Sequence, residues 1–66
     1  MQINLNGAPA DLPARTTIAA LVATLDLAGK RFAVEVNEEV VPRSEHETFE
    51  LSEGDEVEVV NAVGGG

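Results

Sequence analysis

Apolar and polar residues alternate at the start of the chain: in QINLN, Ile3 and Leu5 share one face and Gln2 and Asn4 the other, the period of a half-buried strand. Asn6-Gly7 follows, the dipeptide best suited to the left-handed backbone of a tight hairpin turn, and it predicts a returning strand over 8–12. Pro9 inside that segment and Pro13 at its close place it at a sheet edge, because proline has no N–H to give to a ladder. The period then changes. Ile18, Leu21, Val22 and Leu25 recur at the spacing of one helical face, with Thr16 or Thr17 able to cap the N-terminus and Gly29, Lys30 and Arg31 ending the helix.

Alternation returns in FAVEV, which puts Phe32, Val34 and Val36 inward and Glu35 outward. NEE at 37–39 supplies turn chemistry before a short return through Val40 and Val41, which Pro42 stops. A mixed polar stretch surrounds Phe49 and Leu51, and Gly54-Asp55 turns the chain into EVEVVNAV. There Val57, Val59 and Val63 share one parity, and Glu56, Glu58, Val60 and Ala62 the other. One helix with an apolar stripe among strands with apolar inward faces has one compact solution: the stripe packs on the sheet. The expected fold is α+β, a ubiquitin-like β-grasp roll with a mixed sheet of four to five strands and one helix on one face. The pattern leaves the strand order open. No repeat or linker divides the chain, so 1–63 is read as one domain and 64–66 as a flexible glycine tail.

At 66 residues there is room for a single small core and little for a deep active site. Twelve acidic residues against four basic ones give a formal charge of −8, which repels a nucleic-acid backbone. Without cysteine there is no thiolate nucleophile or thiolate zinc site, and the single His46 cannot build a multi-histidine one. The opening MQINLNGAPA lacks the basic-then-apolar pattern of a secretory signal, and no apolar run nears the ~18 residues of a membrane span. The expectation is a cytoplasmic protein with neither nucleic acid nor membrane as a partner.

Candidate chemistry within the body is weak. SEHE, Ser44 to Glu47, holds the residue types of a hydrolase triad, yet sequence neighbours seldom converge on one substrate atom, and a solvated turn is the simpler reading. Asn37 to Glu39 and the acidic run near SEGDEVE lack the ligand spacing of a calcium loop.

The end of the sequence is different. Gly64, Gly65 and Gly66 make a poor strand and a poor phosphate cradle, since no helix follows them. With Gly66 as the terminus, a glycine tail is thin and unhindered, able to thread a narrow groove of another protein and present its carboxylate. A free carboxylate is a poor acyl electrophile, so a partner enzyme must first activate it, for example as an acyl adenylate formed with ATP. Val60 and Ala62 form a small apolar break in an acidic face beside this tail, a candidate docking spot.

MQINLNG, TIAALVATL, VNEEVVPRSEH, LSEGDEVEVV and the closing AVGGG, in that order, resemble the sulfur-carrier proteins of thiamine biosynthesis, the ThiS family, across nearly the whole chain. The resemblance implies a β-grasp fold and a protein that is a cosubstrate and not an enzyme. It further implies that an E1-like adenylating enzyme uses ATP on the Gly66 carboxylate. A persulfide-derived sulfur, from a cysteine desulfurase or rhodanese-type donor, then gives a thiocarboxylate that thiazole synthase consumes. Gly64 and Gly65 would thread into the partner, Val60, Ala62 and Val63 would dock the body, and the chain itself would bind no cofactor or metal. The same tail would serve a carrier for molybdopterin, cysteine or tRNA thiolation, or a ubiquitin-like modifier joined to lysines. A plain interaction domain with incidental glycines is the remaining alternative.

Overall fold

The computed structural model describes residues 1–27 and 29–61. Strands β1 (Gln2–Leu5) and β2 (Ala8–Asp11) form the expected hairpin, with Asn6 and Gly7 both at positive φ, 51° and 85°. Helix α1 (Ile18–Ala23) follows, then β3 (Phe32–Val36), β4 (Glu39–Val41), a single 3₁₀ turn at Arg43–Glu45, and β5 (Glu56–Asn61). The five strands make one mixed sheet in the order β2-β1-β5-β3-β4. The first and last strands in sequence are therefore neighbours at its centre and run parallel, while every other pair is antiparallel. Pro9 lies on an edge strand, where its missing N–H costs no ladder bond.

The helix covers one sheet face. Ile18 and Leu21 meet Ile3, Val34, Val36, Val41, Leu51 and Val57 in a single buried core. Thr17 caps the helix, its Oγ1 accepting the Ala20 N–H at 3.1 Å, and the 46–51 segment ties down the same end: Ile18 N–H donates to the Phe49 carbonyl and Ala19 N–H to that of His46.

The helix ends earlier than its apolar repeat predicts. It stops at Ala23, and Leu25, the last residue of that repeat, lies beyond it although still half-buried. The Thr24 hydroxyl donates to the Leu21 carbonyl at 2.7 Å, and Leu25 N–H reaches only three residues back, to Val22 at 2.9 Å. This tightening closes the last turn, and Asp26, not Gly29, is the first residue to turn left-handed, at φ 57°. Gly29 makes a second left-handed turn at φ 76° on the way into β3.

Asn37 fastens the β3–β4 turn to the start of β5. At φ 52° it accepts the Glu56 N–H on Oδ1 at 3.0 Å and donates Nδ2–H to Asp55 Oδ1 at 3.1 Å. NEE is thus a structural turn, as read. The expected boundary between domain and tail, at 63/64, lies outside the described residues.

Candidate functional site

β5 carries the chain toward its glycines, and its parity is the one read from the sequence. Val57 is buried and Val59 half-buried on the core side, whereas Glu58 and Val60 face outward. Val60 is 50% exposed and Val40 on β4 is 65% exposed, the two exposed large apolar side chains among the described residues. Register relates them. Val60 lies opposite Ala33 on β3, and Val40 lies opposite Glu35, two residues further along β3 on the same face. The outcome is an apolar diagonal, Val40 to Ala33 to Val60, across three adjacent strands, with Glu35 and Glu58 paired beside it. Val40 was missed as a docking candidate. The signal was present, since Val41 turning inward forces Val40 outward. Ala62, Val63, Gly64, Gly65 and Gly66, the other sequence candidates, lie outside the described residues.

The last ladder pair joins Phe32 to Asn61, so the root of the tail sits beside the Phe32 side chain. That ring faces the helix side of the sheet and is held from two directions. The His46 ring stacks on it at 6.1 Å between centroids, and the Arg43 guanidinium lies 4.6 Å from its centre. His46 corrects the reading of SEHE as a solvated turn. Ser44, Glu45 and Glu47 are exposed, but His46 is 6% exposed and donates Nε2–H to the Val41 carbonyl at 3.0 Å. The imidazole belongs to the packing, spent on a backbone carbonyl and an aromatic face, and no described hydrogen bond joins it to Ser44 or Glu47.

Between the C-terminal half of α1, the loop after it and the 3₁₀ turn runs an open groove floored by Val22, Leu27 and Phe32 and edged by Lys30, Arg31 and Arg43, with the carboxylates of Asp26 and Glu47 also on its wall. Three of the four basic residues of the chain line it. The fourth, Arg15, pairs loosely with Glu50 at 3.8 Å. Among the described residues no group of three or more acidic or histidine side chains is placed to hold a metal ion, and no helix is long and apolar enough to cross a membrane.

One helix laid over a five-stranded mixed sheet whose terminal strands pair in parallel at the centre is a ubiquitin-like β-grasp, here with an apolar diagonal at the root of a glycine tail. Comparison with known proteins agrees. The ThiS family model matches residues 3–66, and the chain belongs to that family. The crystal structure of the thiamine biosynthesis protein ThiS from Geobacter metallireducens superposes with a TM-score of 0.84 at 29% identity, covering 100% of both chains. Thiazole synthase from Magnetococcus marinus is 42% identical over 66 residues, which is 100% of this chain and 20% of that protein. The chain thus spans about one fifth of that relative's length. The protein ycf40 of Porphyra purpurea is 33% identical over 67 residues, covering 100% of this chain and 93% of its own.

Proposed function

We propose that this chain is a sulfur carrier for thiazole formation in thiamine biosynthesis, a cosubstrate whose reactive group is the carboxylate of Gly66. The carrying observation is family membership that runs through the glycines to residue 66. In the reaction, an E1-like enzyme joins the carboxylate to the α-phosphate of ATP, releasing pyrophosphate. The terminal sulfur of a persulfide attacks the acyl carbon and expels AMP, leaving an acyl disulfide. A thiol then cleaves the S–S bond, giving the glycyl thiocarboxylate and a disulfide on the donor side. Thiazole synthase takes up the sulfur and returns the carboxylate. A carrier built this way needs no thiol of its own, and the chain has no cysteine.

The body's part is docking and presentation. Ala33, Val40 and Val60 give an apolar contact on an otherwise acidic face, and Ala62 and Val63, next in the sequence, are assigned to the same docking role. Gly64 and Gly65 carry no Cβ to obstruct a narrow tunnel. That thiazole synthases contain a region similar to this chain supports the pairing of carrier and synthase. The test is ATP–pyrophosphate exchange by the adenylating enzyme from the same cells. The full chain should support exchange, and a chain lacking Gly65 and Gly66 should fold equally well and support none. Exchange that survives the truncation contradicts the proposal.

A further inference from the structure

We propose that the groove edged by Lys30, Arg31 and Arg43 is a second docking surface, and that it seats an acidic, apolar-faced segment of the adenylating partner. This rests on the sulfur-carrier reading and adds to it a charge-specific contact on the face opposite the Val60 diagonal. Three observations lead there. The chain carries twelve acidic residues and four basic ones, yet three of those four cations gather along one groove. Among the described residues, none of the three has a carboxylate within ion-pairing distance, although acidic side chains are abundant on this surface. Asp26 and Glu47 also line the groove but are not ion-paired with these cations, so three positive charges against two negative ones leave it net positive on a chain of net charge −8, and it favours an anionic occupant.

The second observation is that Arg43 is pre-positioned. Its guanidinium lies 4.6 Å from the Phe32 ring centre, and Phe32 is in turn fixed by the buried His46. A guanidinium held over an aromatic ring loses less side-chain entropy on binding and still has N–H donors for a carboxylate. Below it, Val22, Leu27 and Phe32 give the groove an apolar floor, which suits a protein segment better than a free inorganic anion.

The third is position. Phe32 pairs with Asn61, the last described residue before the tail, and its neighbour Ala33 pairs with Val60 on the outer face. The root of the tail is therefore flanked by an apolar band on one side and a basic groove on the other. A partner that surrounds the tail meets both.

The experiment measures the affinity of the full chain for the purified adenylating enzyme, at low and at about physiological ionic strength, where the screening length is about 8 Å. It compares the unmodified chain, the double variant Lys30→Glu/Arg31→Glu and Val60→Asp. Both groove substitutions are at exposed loop positions, and circular dichroism checks the fold. Lys30 is the one lysine of the chain, so zero-length carbodiimide coupling to a partner carboxylate reports its contacts directly. The proposal expects the double variant to bind at least about tenfold more weakly and to lose most of its salt dependence. It also expects Lys30 of the unmodified chain to couple to an acidic residue of the enzyme. If the unmodified chain binds, Val60→Asp does not, and the double variant matches the unmodified chain, the groove is not a docking surface and the sulfur-carrier reading stands. If the unmodified chain does not bind the enzyme at all, both are overturned. Protection of Lys30 by inorganic phosphate, without coupling to the enzyme, overturns the protein occupant in favour of a small anion.

Discussion

Phe32 and His46 stack with their ring centroids 6.1 Å apart and their planes 27° from parallel, and this contact joins the root of the tail to the interior of the domain. His46 is buried and donates to the Val41 carbonyl, while Phe32 is the ladder partner of Asn61. Replacing His46 with alanine removes the side-chain hydrogen bond to that carbonyl and opens a space beside Phe32. Both losses act together, so His46→Ala should destabilise the domain by about 2–3 kcal/mol in urea unfolding. A loss below about 0.5 kcal/mol would place His46 among surface positions and contradict its role in the packing.

Asn37 offers a separable test of backbone and side chain. Its φ of 52° disfavours residues with a Cβ, and its amide makes two bonds across to Asp55 and Glu56. Asn37→Ala loses both the bonds and the tolerance of positive φ, and should cost about 2 kcal/mol; Asn37→Gly keeps the backbone and should cost about half of that. The check is the shift in urea midpoint at constant m value. Equal costs for the two variants would show that the left-handed conformation contributes nothing.

Val60 carries the docking account. It is half-exposed and outside the core, so Val60→Asp should change stability by no more than about 0.5 kcal/mol. Binding to the adenylating enzyme should weaken at least tenfold, because a carboxylate would sit in the apolar contact beside Glu58. Val40→Asp should act in the same direction. Unchanged affinity in both variants, measured by titration calorimetry, would move the interface elsewhere.

The local rules were legible in the sequence wherever side-chain period and turn chemistry decide the outcome. Alternation placed Val57 inward and Val60 outward, Asn6-Gly7 and Asn37 marked turns, and Pro9 marked an edge. The parallel pairing of β1 with β5 was not legible, since it joins residues such as Asn4 and Glu56, whose side chains bond across 52 positions, and a period carries no information about partners. The helix end was misplaced because Leu25 continues the apolar repeat, whereas the Thr24 hydroxyl and the left-handed Asp26 decide the geometry. His46 gave no signal, as its neighbours in SEHE are exposed and its burial follows from Phe32 and Val41 meeting it in space. The basic groove was hidden for the same reason: Lys30 and Arg31 precede β3, Arg43 follows β4, and only the hairpin between them brings the three together.

The account rests on sulfur being carried on the terminal glycine, and the most direct measurement is the intact mass of the protein isolated from its own cells, before and after a thiol-alkylating reagent. It predicts a species in which one oxygen is replaced by sulfur, mapped by fragmentation to Gly66 and converted by the reagent to a single thioester adduct. Because the chain contains no cysteine, an alkylated product has no other thiol from which to arise. A terminus that remains an unmodified carboxylate during thiamine starvation, when demand for the sulfur is greatest, would contradict the account.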